Sequence, residues 1–302
     1  MLKLIAAALV ALAPMAACAQ AQPAPEAGGW VAQDLQRMVQ PDNAQRLKAL
    51  TELLDARGIA YEIKPFPGSE ASGGVEGRNV IVTLGDGPRD IVLGAHYDAV
   101  RLPDGRMVEG VVDNAASVVA LVRAAGVLAD RDLGHRIIVA FWDQEELGLL
   151  GSAAWLAQAD RSRIAASVNF DVVGYGDTLI YGGMRSDSQG VVRSAVEAVC
   201  ERRSMGCVPF QAFPPSDDRS FADAGVPVVS IGLQPAADAR LMHQMMHADP
   251  QAGPPAGPPP RVFTLIHTAN DNMSAIEAEA VALASQLAVE LVAEVDARLA
   301  PR

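Results

Sequence analysis

Two hydrophobic periods alternate along this chain. Leu47, Leu50, Leu53 and Leu54 recur at the three-to-four spacing of a helix face. Their segment opens near Trp30, breaks at Pro41 and stops at Gly58. IAYEIKPF then alternates like a half-buried strand. NVIVTLG and DIVLGAH are short apolar runs joined by GDGPRD, which predicts a hairpin. A helix follows from about Asn114 to Leu128, then a strand HRIIVAFWD and a helix from about Leu147 to Ala159. Strands SVNFDVVG and TLIYGG and a helix ending near Arg203 come next. CVPFQAF and VPVVSIG read as strands flanking a short helix. PQAGPPAGPPPR is too rich in proline and glycine for a helix or a central strand. VFTLIH resumes as a strand. The last helix opens with Ser274 and Glu277 at capping-box spacing and carries Ile276, Leu283, Leu287 and Leu291 on one face.

Strands alternating with helices predict an α/β fold. The expectation is a single three-layer domain with a central mixed, mostly parallel sheet flanked by helices. No internal repeat divides the 302 residues.

Sheets of this kind bind ligands beyond the carboxyl ends of their strands. VLGAH ends in His96, AFWDQEE in Glu145 and Glu146, SVNFD in Asp171 and FTLIH in His267. Asp113, in GVVDNAAS, stands just before a helix. Each alone has an ordinary structural reading: an N-cap, a turn acid, a solvated pair. Together they place two histidines and three carboxylates at one edge of the expected sheet, a donor set that suits zinc. Two zinc ions carry four positive charges. Three carboxylates and one bridging hydroxide offset them, which favours two metals with Asp113 bridging. Asp98 lies two residues after His96 and on an extended segment faces the same way. It can accept a hydrogen bond from the imidazole nitrogen that holds no metal. Glu146 then binds metal, while Glu145 faces the attacking water as general base and passes the proton to a leaving amine.

These residues also carry a resemblance. HYD, GVVDNAAS, EELGLLGS, NFDVVG and HTANDN resemble the motifs of the co-catalytic di-zinc aminopeptidases, the secreted bacterial leucyl-type group, over roughly residues 75–295. Glutaminyl cyclases and glutamate carboxypeptidases share that fold. The resemblance implies His96 and Asp171 on one zinc, Glu146 and His267 on the other, Asp113 between them, and a cis peptide after Asp113. It implies a zinc peptidase domain over 30–302, acting on the apolar N-terminal residues of peptides. The chain departs from the family at SDDRSF, where Asp218 stands in place of a histidine. Asp217 or Asp218, beside Phe221, is therefore expected to recognise a cation such as the substrate's free amine. Two rival functions remain: a single-zinc glutaminyl cyclase, and a binding domain on an inactive peptidase fold.

Composition changes the picture in three places. MLKLIAAALVALAPMAACAQ has one basic residue, an apolar stretch too short to span a bilayer and a small-residue cleavage pattern. It predicts a signal peptide over 1–19, a disordered linker over 20–29, an exported periplasmic or secreted protein, and no transmembrane span after cleavage. MAAC also resembles a lipobox, so Cys18 is an alternative lipid anchor. The net charge of −12 becomes −13 without Lys3 (23 basic against 36 acidic residues), which argues against nucleic acid as a partner. Cys200 and Cys207 can close a disulfide in an oxidising compartment or remain two free thiols; disulfides near the substrate pocket in some family members favour the bridge. His243 and His247 are spaced i, i+4, but Gln244 replaces the glutamate a zincin helix needs. They read as part of an exposed or lid-like helix. His135 reads as a surface residue. There is no nucleophile elbow near Ser152 and no phosphate-binding glycine loop.

Overall fold

The structure, a computed structural model, describes residues 27–183, 189–211, 213–248 and 257–300. The expected signal segment 1–19, Cys18, most of the linker and residues 250–256 of the proline-rich stretch lie outside the described residues. Helix α1 (Ala27–Met38) begins inside the expected linker. Helix α2 (Asn43–Asp55) is capped by Asp42, whose carboxylate accepts from the Gln45 amide.

Eight strands form one sheet in the order β1-β2-β4-β3-β5-β8-β6-β7. They are β1 (Glu62–Phe66), β2 (Gly77–Leu84), β3 (Asp90–His96), β4 (Arg136–Trp142), β5 (Ile164–Phe170), β6 (Thr178–Gly182), β7 (Cys207–Pro209) and β8 (Val228–Gln234). The central run β4-β3-β5-β8 is parallel; the β1/β2, β2/β4 and β6/β8 pairs are antiparallel. The sheet is mixed and flanked by helices, as the strand–helix alternation predicts.

β3, β5 and β8 are buried at every position, because helices cover both of their faces. Helices α3 (Ala116–Leu128), α5 (Gly190–Arg203) and α9 (Ala278–Leu299) join α1 and α2 over one face, around the largest core cluster. Helices α4 (Leu150–Gln158) and α6 (Asp218–Asp223) cover the other, with Trp142, Leu156 and Phe221 between them and the sheet. Val111–Leu128 is long and apolar enough to cross a membrane by composition, but it is packed inside this core.

Four local expectations are corrected. β2 and β3 are not a hairpin: β4 lies between them. Their connection packs on the chain entering β4, where a Cβ on Gly87 would meet the Arg136 nitrogen at 2.6 Å. Arg136 there makes a two-pronged ion pair with Asp90, 2.8 Å at both contacts, tying the starts of β3 and β4 together. VFTLIH is not a strand; helix α8 (Val262–Leu265) occupies it, with Val262 and Leu265 buried one turn apart. Ser274 does not cap the last helix. It lies in a 3₁₀ turn capped by Asn272, and α9 starts only after Glu277. His135 is buried and pairs with Asp296 of α9 at 2.7 Å. Cys200 and Cys207 form a disulfide joining the end of α5 to the sheet's edge strand β7.

Candidate metal centre

The parallel strands aim their carboxyl ends at one place. β3 ends in His96 between β4 and β5, so residues 143–146 and Asp171 emerge on either side of it. A π-turn over Val111–Ala115 delivers Asp113, and the peptide bond to Asn114 is cis. His267 arrives by a different route, two residues after α8.

Around Asp113 the five expected ligands divide into two nodes. His96 Nε2 lies 3.1 Å from Asp113 Oδ1 and 3.7 Å from Asp171 Oδ1. His267 Nε2 lies 3.2 Å from Asp113 Oδ2 and 3.1 Å from Glu146 Oε2. Each node joins one imidazole nitrogen, one oxygen of Asp113 and one further carboxylate. Ligand bonds of about 2.0–2.1 Å around four-coordinate zinc imply ligand-to-ligand edges of about 3.3 Å. The observed separations bracket that length. Asp171 Oδ1 is buried with no hydrogen-bond partner among the described residues, as a metal-binding oxygen would be. The donor set therefore fits two zinc-type ions. Glu145 also approaches: a carboxylate oxygen, an imidazole nitrogen of His96 and an oxygen of Asp171 all lie within 4.8 Å of one another.

Electrostatics carry the same imprint. Burial opposes a charge on His96, but the surrounding carboxylates of Glu145, Asp113, Asp171 and Asp98 outweigh it and raise its pKa well above the ordinary value. Hydrogen bonds donated to Asp113 and Glu146 push His267 up to about 10. Burial likewise opposes charge on Asp113, yet the two imidazoles hold it below the usual carboxylate range. Burial, helped by Asp217, Asp171 and Asp98, raises Glu145 to about 9. Without a cation these shifts favour the protonated forms of the imidazoles and of Glu145, and metal ions would compete with those protons.

Backbone conformation is forced around the cluster. Among the described non-glycine residues at positive φ, Gln144, Leu149, Val172 and His267 flank or belong to it. Val172, β-branched at φ 59°, is the most costly. Its amide accepts no such freedom: it donates to Asn114 Oδ1 at 3.3 Å, and its carbonyl accepts from Leu233. Asn114 in turn donates to the Phe170 carbonyl at 2.8 Å, joining the Asp113 turn to the end of β5.

Asp98 does more than the i+2 spacing suggests. Its Oδ1 is 3.4 Å from His96 Nδ1, and its two oxygens accept from the backbone amides of Glu145 and Glu146 at 3.1 and 3.2 Å. It thereby holds the acidic pair in place while lying against the histidine. Asp271, inside the HTANDN motif but not singled out from sequence, accepts from the amides of Val111, Val112 and Asp113 at 2.9, 2.7 and 3.0 Å.

The expected cation-recognition residues are corrected by burial. Asp217 and Asp218 have no exposed surface, and Phe221 is 1% exposed against Trp142 and Trp155. None of them lines the cavity at the cluster. Asp217 acts on Glu145 by charge from behind, and burial raises its own pKa to about 7. The cavity, about 260 Å³, is lined by the cluster and by Val172, Ile180, Phe213, Met242, Phe263 and Ile266. Met242 belongs to helix α7 (Ala236–Met246), so the expected lid-like helix supplies a wall. On that helix His243 stacks on His247, with ring centres 4.2 Å apart; neither lines the cavity.

The chain belongs to peptidase family M28, whose sequence profile matches residues 79–292 and so covers the whole cluster. It is similar to an aminopeptidase of Pseudomonas aeruginosa, 35% identical over 107 residues that make up 33% of this chain and 19% of that protein. The chain thus spans about a fifth of the length of the curated relatives it matches. The fold is similar to that of an aminopeptidase from Aneurinibacillus sp. strain AM-1, with TM-score 0.66, 15% identity and coverage of 89% and 93% of the two chains. It is similar also to the Porphyromonas gingivalis glutaminyl cyclase, with TM-score 0.65, 20% identity and coverage of 88% and 97%.

Proposed function

We propose that the chain is an exported zinc aminopeptidase that removes N-terminal, apolar residues from peptides. One observation carries this reading: Asp113 presents one oxygen to the His96 node and the other to the His267 node. His96, Asp113 and Asp171 would hold one ion; His267, Asp113 and Glu146 would hold the second. Bound zinc supplies Lewis acidity toward a peptide carbonyl and makes water more acidic.

The protein's own residues account for the rest. Glu145, outside both nodes but beside the His96 one, takes a proton from the attacking water and delivers it to the leaving amine. Asp98 holds the Glu145 and Glu146 amides, so the base and its neighbouring ligand keep one spacing. Val172, Ile180, Phe213 and Met242 receive the side chain of the first residue and exclude water from it. The composition of residues 1–19 supports export, with Cys18 as the alternative anchor; the intact mass of the mature protein separates the two.

Purified protein incubated with a Leu-initiated and a Gln-initiated peptide, then weighed by mass spectrometry, tests the activity. Loss of one residue, abolished by chelator and restored by zinc, is expected. Loss of ammonia alone from the Gln peptide would replace this reading with cyclase chemistry. Peptides unchanged in the presence of zinc would leave a binding domain.

A further inference from the structure

Arg46 stands on α2, before the stretch that the family profile matches. Its position is anomalous in the sequence. Arg46, Leu50 and Leu53 follow one another at i, i+4, i+7, which puts a guanidinium on the apolar face of the helix. In the structure it is fully buried. Among the described residues no carboxylate lies within ion-pair distance of it. Its partners are instead four backbone carbonyls: Nε donates to Tyr97 at 2.5 Å, Nη1 to Met38 at 3.2 Å and Glu109 at 2.8 Å, and Nη2 to Gly110 at 3.2 Å.

Those carbonyls belong to the segments that matter. Tyr97 separates His96 from Asp98. Glu109 and Gly110 lead directly into the turn that carries Asp113. Gly110, at φ 55°, is so enclosed that a Cβ there would meet the Asp113 carbonyl oxygen at 2.9 Å. From the far side, Asp271 accepts the amides of Val111, Val112 and Asp113. A buried cation thus takes the carbonyl ends of this turn and a buried anion takes its amide ends. Unpaired buried charges of either sign are costly, so the turn is held wherever both are satisfied.

We propose that Arg46 is a positioning residue of the centre: with Asp271 it clamps the Asp113 turn by both ends of its peptide dipoles and sets how the Asp113 carboxylate divides between the two nodes. The inference rests on the reading of the cluster as a two-metal peptidase centre. A planar fork of five donors can hold carbonyls from three segments at once; a lysine ammonium, a point with three donors, cannot.

The test compares Arg46→Met, Arg46→Lys and Asp271→Asn in the full chain. Zinc affinity is measured by chelator competition, the visible spectrum is recorded on the cobalt-loaded protein, and kcat and KM are determined separately. Folded Arg46→Met is expected to bind its second ion about 10- to 100-fold more weakly. Its cobalt spectrum should shift, and kcat should fall while KM stays within about 3-fold. Arg46→Lys should recover only part of this. Asp271→Asn should share the pattern, and the double variant should be no worse than the poorer single one, because both act through one turn. Wild-type zinc affinity and cobalt spectrum in a folded Arg46→Met, with only a lowered melting temperature, would overturn the proposal. If Arg46→Met does not fold, the same result in Arg46→Lys overturns it. Metal binding is read without substrate. A wild-type protein that binds two ions but releases no N-terminal residue would sink the peptidase reading and leave the clamp standing.

Discussion

The two nodes of the cluster are made of different material. His96 ends a fully buried central strand, and its side chain is 2% exposed; His267 follows a four-residue helix, at positive φ, with its side chain 53% exposed. One node is set by sheet register, which cannot slip without turning every neighbouring side chain over. The other is set by a surface segment, which opens more cheaply. Metal held at the His267 node should accordingly exchange faster than metal at the His96 node, although Asp113 serves both.

The largest expected effect leaves this difference intact. Glu145→Gln removes the proton carrier but no ligand, so kcat should fall about 10²- to 10⁴-fold with zinc content unchanged. Steady-state assays on a leucyl-nitroanilide beside atomic emission check it; wild-type turnover would take the role away from Glu145. Next comes the comparison itself. In chelated protein His96→Ala should melt roughly 4–8 °C lower, since it leaves Asp98, Asp113 and Asp171 crowded in the interior without the imidazole between them. His267→Ala, chelated likewise, should melt only about 2–4 °C lower, and its zinc-loaded form should hold one ion of two. Equal melting temperatures for the two variants would erase the distinction between nodes.

The smallest effect is on pH dependence. The folded pKa of His267 is about 10 in the metal-free protein, above its ordinary value of 6.5. A raised histidine contributes stability that is complete below the unfolded pKa and is lost as pH rises through the folded one. Glu145, raised to about 9 from 4.5, binds more protons folded than unfolded between those values and so acts with the same sign. Chelated protein should therefore lose a few degrees of melting temperature between pH 6.5 and 10, and His267→Asn should flatten the slope. A melting temperature that rises over that range would contradict both assignments.

The two nodes also differed in how legible they were. His96, Glu146 and Asp171 follow apolar runs that are strands, so the rule that ligands gather at strand ends located them. The same rule reaches His267 only by taking VFTLIH for a strand. A four-residue apolar run fits a strand or a single helical turn equally well, and only packing of Val262 and Leu265 decides. Strand order was not legible either. GDGPRD has every turn signal, and nothing local says that β4 will insert between the strands it joins. Asp217, Asp218 and Phe221 are read as pocket residues because SDDRSF departs from the family's motif beside an aromatic residue, and nothing local says that this turn packs inside the protein. Arg46 carries a visible signal, a cation on an apolar helix face. Asp271 carries none: an aspartate in a polar turn has too many ordinary roles.

The order of the sheet has a consequence for synthesis. β3 pairs with β4 on one side and β5 on the other, and both lie later in the chain. Until Phe170 has left the ribosome, His96 has no completed floor beneath it, and Asp113 dangles from a helix with nothing to face. A nascent chain ending short of β4 therefore exposes both long edges of β3, and one ending short of β5 still exposes one, a template for aggregation.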